Sequence, residues 1–473
     1  MDMLQVKNGT VVDAKGAAVR LRGVCIGGWM NSENFIDGYT GCEHELRAVL
    51  AEELGPARAE FFWERLLDHF FGDEDLAFLK KCGATVVRLP VNYRHFESDL
   101  APLSYIERGF ERLSRAIDMC ERHGIYAIID LHAVQGWQNT DWHCDNATRH
   151  SLFWRDAHCR ERFVALWNEF ARRFSGRAAV AGYNIMNEPL CNASRGRMGT
   201  PYASDWDLIN GVFHQTVDAI RAVDPQHIVF IEGDHFSSLF EGLEPPFADN
   251  LVYSSHNYSG PGFGPGSYPG DTGDRDSLVR AFESHQGTQY ARRHNVPLWV
   301  GEFGSVYNGP AEEIPDRLRA LDEQIDTYEQ GGAHWTAWTY KDVGVMGWVV
   351  LDPECEYLQL VKPVLEAKKE LRTDFWMGWL PATEMSRISD ELAAYVEKTV
   401  GDPQVRARDF KRYLMQALCS GFLGSLLQAP YARRFKGMSE ERLDQVLQSF
   451  SFSNCRVNQG LIDVVSRHMA RPA

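Results

Sequence analysis

Eight short apolar, β-rich runs recur along the chain, each separated from the next by a longer stretch with helical periodicity. They fall at 19–26, 85–89, 126–131, 182–186, 228–232, 251–255, 298–301 and 336–339. Most are continuous Val/Ile/Leu-rich segments, as parallel strands buried on both faces require. Between them, stretches such as 110–123 and 159–174 carry apolar residues at the spacing of an amphipathic helix. Parallel neighbours need crossover helices, so this alternation predicts an α/β fold, a (β/α)8 TIM barrel with loop insertions.

Two flanking pieces lie outside the eightfold count. Residues 4–20 read as an N-terminal β-hairpin, with Asn8-Gly9 and Lys15-Gly16 as turns, placed to plug the N-terminal end of the barrel. Residues 380–473 hold no strand-like run of note and read as a mostly helical C-terminal segment, clearest at 389–400 and 439–450. We therefore expect a barrel domain over 1–379 and a helical extension over 380–473 that packs on it.

Charge and cysteine usage narrow the class. The net charge is −16, and 380–473 is itself basic, with 13 Lys/Arg against 10 Asp/Glu. An acidic chain repels phosphate backbones, which disfavours nucleic-acid binding. No apolar run reaches the length of a membrane span. The ten cysteines form no Cys-x-x-Cys pair, so neither a disulfide framework nor a zinc site is expected. His143-Cys144 and His158-Cys159 lack further ligands at metal spacing and read as structural or surface residues. No metal or cofactor is expected, and the N-terminal residues read as those of a cytoplasmic protein.

Catalytic side chains of such barrels stand at the C-terminal ends of strands. The fourth run leads into Asn187-Glu188-Pro189, and the seventh ends Gly301-Glu302-Phe303. Two carboxylates across one barrel mouth suit glycosidic bond cleavage: one protonates the leaving oxygen, the other attacks the anomeric carbon or activates water. Taken singly, each such residue is more often a salt-bridged structural group. Thirteen tryptophans exceed what a core alone needs, and Trp29, Trp137, Trp299, Trp338 and Trp348 fall near strand ends where sugar rings could stack.

The set resembles glycoside hydrolase family 5, the cellulase-type retaining glycosidases. Asn187-Glu188-Pro189 matches that family's strand-four motif and Glu302 its strand-seven nucleophile. Arg88, His132, His256-Asn257-Tyr258 and Trp338 match its positions on strands two, three, six and eight. The resemblance covers roughly 19–375 and implies Glu188 as acid/base, with its pKa raised by an apolar wall and by the charge of Glu302. It implies Glu302 as nucleophile, held ionised by Arg88 and Tyr258. Asn187 would bind a sugar 2-hydroxyl, His256 would assist Glu188, and His132 and Trp338 would contact the substrate.

The first barrel loop sharpens this. Gly27-Gly28-Trp29-Met30-Asn31-Ser32-Glu33 resembles the signature of the exo-β-1,3-glucanase branch, in which Glu33 would grip the non-reducing terminal sugar. Phe71-Gly72-Asp73-Glu74-Asp75-Leu76 and Gly136-Trp137-Gln138-Asn139 also resemble that branch, with Asp145-Asn146 as a further contact. The stretch after the eighth run, 338–348, and the segment 380–473 depart from it. The expectation is an exo-acting retaining β-glycosidase that trims a terminal β-linked glucose-like unit from an oligosaccharide or glycoconjugate. The alternatives are an endo-β-1,4-glucanase with an open cleft and a non-catalytic carbohydrate-binding barrel. Oligomeric state is not legible.

Overall fold

The computed structural model describes residues 1–192, 202–377 and 381–472. Eight parallel strands close into a barrel in chain order. They are β1 (Arg22–Cys25), β2 (Val86–Asn92), β3 (Tyr126–Ala133), β4 (Val180–Asn184), β5 (Ile228–Glu232), β6 (Leu251–His256), β7 (Leu298–Glu302) and β8 (His334–Ala337). Closure comes from β8 pairing with β1, Trp335 opposite Arg22 and Ala337 opposite Val24. Each expected run contains one of these strands or overlaps it. The expected fourth and eighth runs begin two residues late, because the apolar stretch continues past the last ladder bond into the catalytic-side loops.

The helices follow from sequence pattern. Glu107–His123 buries Phe110, Leu113, Ala116, Ile117 and Cys120 on one stripe and ends at Gly124 in the left-handed conformation, where glycine carries no Cβ penalty. Ala157–Phe174 starts at Asp156, whose side chain accepts the N–H of His158 and satisfies an otherwise orphaned donor.

The hairpin, Gln5–Lys7 paired with Thr10–Val12, closes the barrel floor. Leu4 and Val11 are buried in one cluster with Val86, Ile128, Ala181, Ile228, Phe230, Val252 and Trp299. Burying apolar side chains of this size stabilises by about 1.5–3 kcal/mol each. Trp299 is therefore a floor residue, fully buried beneath the Arg88 guanidinium, 5.6 Å from its ring centroid. Trp29 and Trp348 are likewise buried. These three are packing residues, not the sugar platforms expected.

The segment after 380 wraps the barrel instead of trailing from it. Its helices include Glu384–Val400, Ala407–Met415, Glu440–Leu447 and Gln459–Met469, with a π-helical turn at Gln416–Leu423. It also contains one short strand that the sequence pattern misses. Cys455–Val457 pairs antiparallel with Val349–Leu351, which pairs in turn with Lys341–Asp342. The unmatched loop after β8 thus supplies the edge on which the C-terminal segment docks. Asp342 fixes that loop by accepting the N–H groups of Gly344, Val345, Met346 and Gly347. Beyond it, the Arg22 guanidinium donates to the carbonyls of Arg471 and Pro472. No helix among the described residues is long and apolar enough to cross a membrane.

Candidate active site

Side chains from all eight strand ends meet above the barrel. The centre is Arg88 on β2, fully buried. Its guanidinium donates to Asn184 Oδ1 at 3.0 Å, to Asn187 Oδ1 at 2.7 Å and to Glu302, and lies 3.1 Å from Asp130 and 3.3 Å from Glu232. Five donors in a rigid fork can serve several oxygens at once. Burial works against its charge, but Asp130 and Glu302 outweigh that and raise its pKa well above the ordinary arginine value.

Glu302 ends β7. Beside Arg88, its second oxygen accepts from Tyr258 Oη at 3.0 Å. Glu188 follows β4 with φ +47°, a left-handed conformation that costs a non-glycine residue free energy. The backbone is held there from both sides. Its N–H donates to Glu232 Oε2 at 2.8 Å, and its carbonyl accepts from Asn139 Nδ2 at 3.0 Å. Gln138 Nε2 bridges the carbonyls of His132 and Asn187 at 2.6 and 2.8 Å. The motif after β3 therefore braces the motif after β4. An oxygen of Glu188, an oxygen of Glu302 and a ring nitrogen of His256 all lie within 4.8 Å of one another.

Two histidines clamp Glu188. His256 Nδ1 is 2.7 Å from Oε1, and His143 Nε2 is 3.1 Å from Oε2. Burial favours the neutral carboxyl, but the hydrogen bonds and charges of His143 and His256 hold Glu188 well below the usual carboxylate range. This lowering is opposite to the raised pKa expected from sequence. The reason is His143, read from sequence as structural or surface, which the loop after β3 turns into the site. Burial opposes charge on both histidines; the hydrogen bond to Glu188 raises His143, and the charges of Glu232 and Glu302 raise His256 well above the ordinary value.

Glu232, at the end of β5, is the other residue that strand-end reasoning passed over. It accepts from Ser237 Oγ and stands 3.5 Å from His256 Nε2. Burial would raise its pKa, but His256 and Arg88 lower it to about 2. The signal was available: an acid ends that strand as it ends β7.

On the opposite wall, His132 stacks on Trp338 with centroids 5.4 Å apart and planes at 10°. Its Nδ1 meets Asp130 at 2.8 Å and its Nε2 meets Glu33 at 3.3 Å. Burial opposes its charge, but Asp130 and Glu33 raise its pKa to about 10. Burial raises the pKa of Glu33 despite His132. Gly27 has to lack a side chain here, since a Cβ would stand 2.7 Å from the Trp338 ring. Asp145, expected as a contact, is instead a buried anchor that accepts from the His44 N–H at 2.9 Å and Arg94 Nε at 3.0 Å; Asn146 does line the cavity.

The cavity has a volume of about 1100 Å³ and is lined at its inner end by Glu33, His132, His143, Glu188, Tyr258, Glu302 and Trp338. Arg88, Asn187 and His256 lie behind that wall, buried. Trp376 stands over the mouth, its ring 5.1 Å from Phe35, 5.4 Å from Trp142 and 5.0 Å from Phe263. The outer end is built by the C-terminal segment, from Ser386 to Ser425.

The arrangement can hold one carboxylate beside fixed positive charge while a second exchanges a proton with imidazole, across a gap that suits attack at an anomeric carbon. Arg88 and His143 already supply positive charge to these carboxylates, which disfavours a cation between them.

Known proteins bear the same stamp. A model described as Cellulase (glycosyl hydrolase family 5) matches residues 61–344. A protein named Beta-xylosidase from Phanerodontia chrysosporium is 35% identical, with 98% of each chain covered. One named Probable glucan 1,3-beta-glucosidase A from Emericella nidulans is 23% identical over 71% of this chain and 88% of its own. Endoglucanase C of Acetivibrio thermocellus is 25% identical over 42% of this chain and 54% of its own. The solved structure of an endogalactoceramidase shares the fold, with a TM-score of 0.51 and 19% identity over 72% of this chain and 75% of that one. The chain belongs to glycosyl hydrolase family 5 and is a glycoside hydrolase built on a (β/α)8 barrel.

Proposed function

We propose that the enzyme is a retaining β-glycosidase that removes one terminal sugar at a time from the non-reducing end of an oligosaccharide or glycoconjugate. The observation that carries this reading is the approach of the Glu188 and Glu302 oxygens to within 4.8 Å. Retaining glycosidases hold their carboxyls about 5–5.5 Å apart, whereas inverting ones leave about 6.5–9.5 Å for a water.

In this reading Glu302 attacks the anomeric carbon, with Arg88 and Tyr258 holding its lone pairs in line. The His256 proton passes to Glu188 Oε1 and on to the leaving oxygen as the glycosidic bond breaks. Water, deprotonated by Glu188, then releases the sugar from Glu302 with net retention. Asn187, expected at the 2-hydroxyl, instead lies behind the cavity wall and holds the Arg88 guanidinium through its Oδ1, while Trp338 and Glu33 close the glycone end. Exo action is supported by Glu33 at the inner end and by the aromatic roof that Trp376 forms with Phe35, Trp142 and Phe263. The names of the xylosidase and glucosidase relatives agree with it.

Those names differ in the sugar, so a terminal xylose is a second reading beside glucose. Ten free cysteines, eight of them buried, suit a reducing compartment such as the cytoplasm. Aryl β-glucoside, β-xyloside, β-mannoside and β-galactoside assays, with product analysis on cello- and laminari-oligosaccharides, test the function. Monosaccharide from the first minutes is expected. Internal cleavage products would favour the endo-β-1,4-glucanase alternative, and no turnover of any β-glycoside would overturn the proposal.

A further inference from the structure

The active-site cavity is charged differently at its two ends. Glu33, Glu188 and Glu302 stand at the inner end, where the sugar binds in the glycosidase reading. The outer wall presents Arg149, Arg372, Arg408, Lys411 and Arg412 against two acids, Glu45 and Asp141. On a chain of net charge −16, these cations around one opening reverse the sign locally. A cleft lined by one sign of charge concentrates ligands of the other.

Part of that charge has no partner in the protein. Lys411 meets Asp390, and Arg408 lies 3.5 Å from Asp409. Asp141 accepts from Gln416 Nε2, and Glu45 accepts from Gln428 Nε2 at 3.2 Å. Arg149 and Arg412 make no ion pair with any described residue. Arg149 is half-buried and donates to the Gln416 carbonyl; burial lowers its pKa, although the charge of Asp141 opposes this. A guanidinium carries five donors, so most of this fork is open to a ligand.

The same cavity has an aromatic wall, from Phe35, Trp142, Phe236, Phe263 and Trp376. Its volume of about 1100 Å³ stands at the top of the range for drug-sized ligands, about 300–1,000 Å³, and exceeds what one sugar fills. A neutral sugar at the inner end uses neither the aromatic wall nor the outer arginines.

We propose that the outer cavity is an aglycone subsite for an anionic amphipath. Its apolar body lies along the aromatic wall, and its distal carboxylate or sulfate meets the outer cations, Arg149 and Arg412 first among them. The anion does not belong on the sugar, because Glu33, Glu188 and Glu302 would repel it there. That this group departs on cleavage rests on the glycosidase reading; the preference for an anion does not.

Calorimetry on the full chain tests it with thioglycosides, which resist hydrolysis. Octyl β-thioglucosides and β-thioxylosides ending in a carboxylate, a sulfate or a neutral methyl ester differ only at the far end. An anionic probe should bind about tenfold more tightly than the ester, in keeping with charge-assisted hydrogen bonds from arginine. The difference should shrink as salt is raised, and the tighter of the two anions identifies the group. In Arg149→Gln/Arg412→Gln the three probes should bind alike, and Arg412→Gln alone, at an exposed position, should lose about threefold of the preference. Arg149→Lys/Arg412→Lys keeps the charge and should retain a preference that the Gln variant loses. Circular dichroism verifies each fold. Parent enzyme that binds the three probes alike, or binds none of them, overturns the proposal, as does a preference that persists in the Gln variant. Anion preference without turnover of the oxygen-linked counterparts would count against the glycosidase reading alone.

Discussion

His143 Nε2 lies 3.1 Å from Glu188 Oε2 while His256 Nδ1 lies 2.7 Å from Oε1, so one carboxylate is gripped by an imidazole on each oxygen. Removing a neighbouring cation raises every remaining pKa in such a cluster. His143→Ala should therefore move the alkaline limb of the kcat/KM profile to higher pH. A purely structural role for His143 would lower the whole profile without moving that limb, and the pH dependence of aryl glycoside hydrolysis separates the two.

Proton donation by Glu188 matters in proportion to how poor the leaving group is. Glu188→Ala should slow cleavage of alkyl or sugar β-glycosides by about 10²–10⁴-fold. The first step on a dinitrophenyl glycoside, whose leaving group departs without a proton, should be far less affected. Values of kcat/KM across a leaving-group series, which report the first step, measure this.

Arg88 neutralises Asp130, Glu232 and Glu302, all of them buried. Arg88→Met would leave three buried carboxylates without their cation. Breaking a buried ion pair by removing one partner costs about 3–5 kcal/mol, so the urea midpoint should fall by that equivalent, with the slope of unfolding free energy unchanged.

Stability should fall on both sides of a mildly acidic plateau. Glu232 has its pKa lowered from 4.5 to about 2, so its contribution is full above 4.5 and is lost as pH falls through about 2. His132 has its pKa raised from 6.5 to about 10, so its contribution is full below 6.5 and is lost as pH rises through about 10. Melting temperature against pH should show both slopes; Glu232→Gln should flatten the acid one and His132→Gln the alkaline one.

Trp376 touches rings from three catalytic-side loops. Trp376→Ala removes that roof, and should raise KM for short β-glycosides by about tenfold or more, since aromatic contacts carry much of the binding in such sites. If it also yields internal cleavage products from an oligosaccharide, the roof is what enforces terminal cleavage.

The strands were legible because buried parallel strands leave continuous apolar runs; strand ends led to Glu188 and Glu302, and the family resemblance added Arg88, His132, His256 and Trp338. His143 was not legible. It belongs to a loop without periodicity, and only the bracing of Gln138 and Asn139 against the β4 end turns it toward Glu188. Trp299 misled because position along β7 does not reveal which residue fills the barrel floor. The outer cavity was hidden for a different reason. Its lining brings together loops after β1 and β3 with residues 386–425, a long-range meeting that no local pattern records.

The claim that Glu302 is the nucleophile of a double displacement is tested most directly by trapping its product. Incubation with a 2-deoxy-2-fluoro-β-glycoside carrying a good leaving group, followed by peptide mass mapping, should find one fluoroglycosyl group on the peptide containing Glu302, with activity lost in step. Active enzyme that acquires no label, or carries it on another residue, would contradict the account.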